Sequence, residues 1–509
     1  MPISSKVKIL QDTVLLTGRR ITNLFIGLLQ AYFTVRFLGP ENYGVLAIIG
    51  MVPMIAGYLN LGWLSVVMRE IPHYRGVGDV EAEIRLRNNA FSVELLMTAV
   101  CVVVSLTIAL FYVYLNRWDI ALLLILAAVA LIPQKLLSLY NVRNFYEKDF
   151  RLQTKVDVYR QLVASVLIIG TVWKYGIYSV LIVPILADIL CVFYYRTQTS
   201  LNFTFSLQKP ELKRMTKIGI PLAITTLLSS EGGVLKMIER TLLAMYVPLK
   251  AVGYYAFAAK ICGYFMQLLQ DATSAFQPHL YENLGRENSI RVKQQFILKP
   301  TRILFYAFGI FMGSALFVLP SVIAIILPRY IESILIMKIL LIANYITHVT
   351  AVNRIILYSV VMNKQVYYSL IWAVTIVVFS ICSYMAVLNG YGATGIAISL
   401  LISYTTLNIL TFCKTFPFYL KGKKDYLLLV MEMIIPIMPY ILIDCLYITP
   451  MMPVDDEVNR YWFLLIRIGI ALIVSLPLLI RLNKISGIFD MMNEPIQRMF
   501  YKKLQIPAK

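Results

Sequence analysis

Runs of about 20 apolar residues recur along nearly the whole chain, and a run of that length crosses a lipid bilayer as a helix. Lipid offers the backbone no hydrogen-bond partners, so each run has to satisfy its own N–H and C=O groups, which a helix does. Composition points the same way. Of 509 residues, 59% are hydrophobic and only 15% charged, whereas soluble domains keep about a quarter of their residues charged. The chain is therefore predicted to be an all-α membrane protein with about fourteen transmembrane helices. The runs lie near 14–37, 44–66, 89–115, 119–140, 158–174, 175–195, 215–246, 251–278, 300–327, 332–361, 366–388, 391–413, 425–448 and 461–481. Several exceed what a bilayer needs, so tilt or kinking is expected, with bends at Gly232-Gly233 and Pro320.

Lys and Arg in the loops give the direction. With the N-terminus inside, about 35 of the 47 basic residues fall on the inner side, about 5 outside and about 7 within spans. The outer ones are Arg117, Lys174, Lys250, Arg329 and Arg460; inner clusters include Arg143 to Arg160, Lys209 to Lys217, Arg286 to Arg302 and Lys421 to Lys424. Both termini are placed in the cytoplasm. The formal net charge of +20 is then mostly topological, and no nucleic-acid partner is expected. Outer loops are short, the longest running from about Thr449 to Arg460, and none could hold an extramembrane catalytic domain. All six cysteines fall inside apolar runs without metal-ligand spacing and read as small buried hydrophobes. The N-terminal apolar stretch carries Arg19 and Arg20 and no small-residue cleavage site, so no removable signal peptide is expected.

A faint internal repeat organises the spans. Tyr43-Gly44-Val45-Leu46-Ala47 opens the second and Val252-Gly253-Tyr254-Tyr255-Ala256 the eighth; Tyr175-Gly176 opens the sixth and Tyr391-Gly392 the twelfth. Together these suggest two six-helix lobes in parallel orientation, related by an axis along the membrane normal. The expected division is an N-terminal lobe at 1–205, a C-terminal lobe at 206–420, and residues 421–509 holding two additional spans and a cytoplasmic tail.

Short motifs in this frame resemble a known family. Phe37-Leu38-Gly39-Pro40-Glu41-Asn42-Tyr43-Gly44, after a first helix with a basic pair, is similar to the opening of the polysaccharide-transporter flippases. These export O-antigen and capsule repeat units and belong to the multidrug/oligosaccharidyl-lipid/polysaccharide exporter superfamily. Asn60-Leu61-Gly62 through Arg69, Gly219-Ile220-Pro221-Leu222, Glu239-Arg240-Thr241-Leu242-Leu243 and Pro278-His279-Leu280-Tyr281 extend the resemblance, with Glu239 standing where the family usually has Asp. The resemblance implies a V-shaped pair of lobes that open alternately inward and outward around a hydrophilic cavity. It also implies an undecaprenyl-diphosphate-linked oligosaccharide as substrate, a bacterial inner membrane as location, and membrane lipid as surroundings. Glycan polymerase and chain-length proteins are candidate partners.

Polar residues sit on single helical faces in several spans. Span one has Arg20, Asn23, Gly27, Gln30 and Thr34; span seven Thr226, Ser230, Gly233, Lys236 and Arg240. Span eight has Lys260, Tyr264, Gln267, Asp271 and Ser274; span ten Thr347, Thr350 and Arg354, with His348 beside them. Such stripes face a neighbouring helix or a wet cavity. At 1.5 Å per residue Lys260 lies roughly 13 Å from the outer side, Glu231 is near the middle, and Lys236 and Arg240 approach the outer mouth. Arg20 and Arg354 fall near the inner edge. As substrate-binding cations we single out Lys260, Lys236, Arg240, Arg20 and Arg354; as cavity acids or ion-coupling groups Glu231, Asp271 and Asp188. The alternatives are a structural ion pair of Lys260 with Glu231 or Asp271, snorkelling of Arg20 and Arg354 to the interface, and a hydrogen-bonding role for Asp188. Tyrosines suit sugar stacking and also the interfacial belt.

Enzyme signatures are not found. The three histidines are isolated, and no H-E-x-x-H, P-loop or D-x-D occurs. The expectation is a transporter with no catalytic residues, metal or cofactor. Other readings are a peptidoglycan-precursor (lipid II) flippase, a multidrug/cation antiporter of about twelve spans, or, in a different class, a polytopic glycan polymerase or glycosyltransferase.

Overall fold

A computed structural model describes residues 3–486 apart from 59–61, 148, 230–232, 287–288, 358–361, 363, 421 and 447–456. Every regular element among the described residues is helical. The chain divides into two compact units, residues 1–257 and 258–509.

The first unit begins with α1 (Ile3–Ile49), which is two helices joined at Gly39, where φ 72° and ψ 170° interrupt the spiral. Pro40 follows at the start of the second piece, a position whose missing N–H costs nothing. Then come α2 (Met51–Tyr58), α3 (Trp63–Val77), α4 (Val80–Tyr114), α5 (Trp118–Glu147), α6 (Phe150–Tyr175) and α7 (Ile177–Gln198). Asp79 and Asp149 cap α4 and α6, accepting from the backbone N–H of Ala82 and Leu152. After α7 an extended segment docks on α4. Asn88 holds Thr204 through both its backbone N–H and its hydroxyl, and Ser92 and Asn89 accept from the N–H groups of Ser206 and Gln208. Thus α8 (Lys209–Ser229) starts from a fixed point and packs on α3 and α4, while α9 (Val234–Tyr246) reaches α2. α10 (Leu249–Arg286) carries the chain across the division between units.

The second unit continues with α11 (Ile290–Lys293), a π-helical turn at Gln294–Leu298, α12 (Lys299–Ile326), α13 (Ser333–Val349) and α14 (Ala351–Leu357). α15 (Gln365–Leu388) and α16 (Gly392–Tyr419) form a hairpin, followed by α17 (Lys423–Ile434), α18 (Met438–Leu446) and α19 (Glu457–Ser486). The two spans beyond the expected twelve are built into this unit. Gly309 of α12 meets Pro436, and a Cβ at Gly313 would lie 2.2 Å from the Tyr440 ring. Ion pairs Arg302–Glu432 at 2.6 Å and Lys338–Asp444 at 2.5 Å, with Arg467 donating to the Phe317 carbonyl at 3.0 Å, fasten the same helices. Spare polar groups on α12 and α13 find their partners in that contact, which span counting alone does not reveal.

Nine described helices are long and apolar enough to cross a membrane, and two bent pairs, α13–α14 at 45° and α17–α18 at 47°, bring the number to as many as 11. These correspond to eleven of the predicted runs, with α1 and α2 taken together as one. The remaining three runs fall on α2–α3, α8–α9 and α10, where the chain is interrupted or too polar to pass such a test. The chain is a multi-pass membrane protein.

Candidate functional site

The repeat glycines meet one another within the first unit. A Cβ at Gly44 would lie 2.1 Å from the carbonyl oxygen of Leu249, and one at Gly253 would lie 1.8 Å from that of Pro40. Pro40 precedes Gly44 by one helical turn, and Leu249 precedes Gly253 by the same interval, so each glycine receives the carbonyl from the turn before its counterpart. That reciprocity is the signature of a local two-fold contact. The second pair agrees in conformation, Gly176 and Gly392 having φ of 53° and 51° at the starts of α7 and α16. A further pair of motifs also touches: Gly62, at φ 76°, would place a Cβ 2.4 Å from the Gly219 carbonyl oxygen, and Trp63 donates to Thr216 beside it.

On α9, next to this crossing, lie two of the expected cations. Lys236 pairs with Glu239 at 2.7 Å. Glu239 is 1% exposed, and its second oxygen has no hydrogen-bond partner among the described residues. Arg240 donates to the Ala47 carbonyl at 3.2 Å, at the C-terminal end of α1, where a cation complements the helix dipole. Lys236 and Arg240 are both half-buried. Only Lys236 is paired with the buried acid, so the three charged groups Lys236, Glu239 and Arg240 leave α9 with a net positive charge.

The other expected residues distribute differently. Lys260, in the second unit, is exposed, with its ammonium 5.4 Å from the Tyr264 ring centroid. Glu231 and Arg20 lie outside the residues whose side chains are described, as does the Asp271 side chain on α10, so the suggested Lys260 pairs lie outside them too. Arg354 is buried on α14, where Asn353 accepts from Tyr419 at 2.8 Å. The polar stripe of span ten faces α16, since Thr350 donates to Asn408 at 2.6 Å and Thr347, His348 and Thr350 are buried. In span one, Gln30 accepts from Ser165 and Gln161 of α6. Gln30 and Thr350 thus bond to side chains of neighbouring helices.

Asp188 is 1% exposed and takes hydrogen bonds from Arg160 on both oxygens, that to Oδ2 at 3.1 Å. Charge counting assigns Arg160 to a basic loop, but α6 begins at Phe150 and carries it well into the helix. A second buried pair is half legible in the sequence: Glu94 of α4 reads as an acid inside a span, whereas its partner Lys135 of α5, 2.6 Å away, is missed; Glu94 is fully buried. A lysine two residues beyond Pro133 inside an apolar run is the signal that could have found it. At the end where the basic residues cluster, Arg75 bridges Glu83 at 2.7 Å and Glu147 at 2.8 Å. Hydrogen bonds to Glu147 and Glu83 hold the Arg75 guanidinium more basic than usual.

Residues 33–280, which contain both glycine crossings and the α9 cations, match the family model described as polysaccharide biosynthesis protein. That match covers just under half of the chain. Solved structures share the fold. Lipid II flippase MurJ, in an inward closed conformation, aligns at a TM-score of 0.65 and 13% identity over 98% of this chain and 100% of that one. An inward-facing multidrug resistance MATE family transporter of the MOP superfamily aligns at 0.63 and 15% identity, over 80% and 96%. A MOP superfamily transporter from Pyrococcus furiosus aligns at 0.54 and 16% identity, over 82% and 96%. Comparison with curated proteins finds no match. The chain therefore shares the fold of these solved MOP superfamily transporters.

Proposed function

We propose that the protein moves undecaprenyl-diphosphate-linked oligosaccharide repeat units of a surface glycan across the bacterial inner membrane by alternating access, without catalysing a covalent step. The observation that carries this reading is the pairing of a polysaccharide biosynthesis match at residues 33–280 with a flippase fold spanning 98% of the chain. That coverage includes most of residues 421–509, whereas the multidrug-type structure accounts for 80% of the chain. The cationic face of α9 supports an anionic head group. The polyprenyl tail stays in the bilayer, so only the polar head needs the wet path. A lipid II flippase is the second reading, favoured by the MurJ fold.

Depletion of the protein in its host tests the proposal. Lipid-linked repeat units should accumulate on the cytoplasmic side, protected from a glycan-modifying enzyme added to intact spheroplasts, while surface glycan falls. An unchanged distribution of these intermediates, or accumulation of the peptidoglycan precursor instead, would defeat it.

A further inference from the structure

A cavity of about 360 Å³ opens between α6 and α7 in the first unit, and its lining is mostly apolar, including Val163 and Leu190. Lys155 lies level with Tyr194 at one end, and Arg160 reaches the lining one to two turns further along, level with Asp188. The two helices run antiparallel, so Lys155 and Tyr194 share the end nearest the basic residues Arg151 and Arg196. From Lys155 to Val163 the helix rises about 12 Å, the distance from head-group level into the acyl chains. Exposed Leu162, Val166, Leu186 and Phe193 flank the opening, as expected where two spanning helices face lipid.

The cations are held in place. Asp188, behind Arg160, accepts from Nε and from one terminal nitrogen, which leaves the remaining N–H groups of the planar guanidinium for another acceptor. The Arg160 side chain stays 40% exposed. Lys155 lies 5.5 Å from the centroid of the Tyr194 ring, a cation–π contact that fixes its ammonium at the groove mouth. A free anion would gain nothing from the apolar lining, and an apolar ligand would gain nothing from the cations. A molecule with a phosphate and a hydrocarbon chain uses both.

We infer that this groove binds an anionic glycerophospholipid of the surrounding leaflet, its phosphodiester between Lys155 and Arg160 and one acyl chain along Val163 and Leu190. The site is separate from the α9 cations and does not depend on what the protein transports.

Native mass spectrometry of the full-length protein, released from nanodiscs of mixed phosphatidylglycerol and phosphatidylcholine, tests the assignment. The wild type should retain one phosphatidylglycerol in preference to phosphatidylcholine. Lys155→Gln should lower its occupancy about tenfold, the loss of one charge-assisted contact. Leu190→Trp should lower it too by filling the chain groove without altering charge, and Leu190 is exposed enough for the fold to be kept. Equal retention in both variants, no preference for the anionic lipid, or displacement of phosphatidylglycerol by added polyprenyl diphosphate would each overturn it.

Discussion

Lys236 and Arg240 differ in what they hold, and that difference is testable. Lys236 is tied to Glu239, whereas Arg240 also completes the end of α1. Arg240→Ala is expected to reduce glycan export and also to lower the thermal midpoint of the purified protein, by about 1 kcal/mol of lost capping interaction. Lys236→Gln is expected to reduce export with little change in stability. At Lys260, Arg should retain more export than Gln, because a diffuse attraction to the head group needs charge more than one hydrogen-bond geometry; normal export by Lys260→Gln would remove that residue from the path. The Glu94–Lys135 pair predicts the opposite pattern. Removing one partner should cost about 3–5 kcal/mol, and Glu94→Leu with Lys135→Met should recover most of it, as read by unfolding in detergent. Asp188 was legible from sequence as a buried acid. Arg160 stands at the start of the run 158–174 and counts with the inner basic cluster, and the start of α6 at Phe150 sets it well inside the helix.

Helix by helix, the runs of apolar residues locate the spans well because lipid forces each to be a helix, and TM-type helices begin and end close to those runs. What the runs could not give was contact. The glycine motifs read as markers of a repeat, yet their physical purpose is that Gly44 and Gly253 let two backbones come together where no Cβ fits. Gly44→Ala and Gly253→Ala should each destabilise the protein by about 1–3 kcal/mol, the usual cost of overpacking. Because both act at one crossing, the double variant should lose less than the sum, and a double-mutant cycle in thermal unfolding measures the shortfall. Strict additivity would mean that the two sites do not share the contact. The polar stripes of spans one and ten were legible as stripes; which neighbour they faced was not, since a helical face specifies a direction but no partner.

For the whole molecule, membrane placement rests on the distribution of basic residues, a signal that sequence carries directly because insertion reads it. In a background with the native cysteines replaced, a cysteine at Asp456 should react with an impermeant maleimide added to intact cells, and one at Lys423 should not; the reverse would turn the chain over. The division between the two compact units falls within α10 rather than between spans, which no hydropathy pattern encodes. The central claim, that the polar head of a lipid-linked glycan crosses through this protein, has a direct measurement. Purified protein is reconstituted into proteoliposomes with a fluorescent undecaprenyl-diphosphate oligosaccharide, and an impermeant quencher reports the fraction reachable from outside. Lipid initially shielded inside should become quenchable over time with the wild type, and more slowly with Lys260→Gln. Quenching that stays at the level of protein-free vesicles, with the protein folded and inserted, would contradict the account.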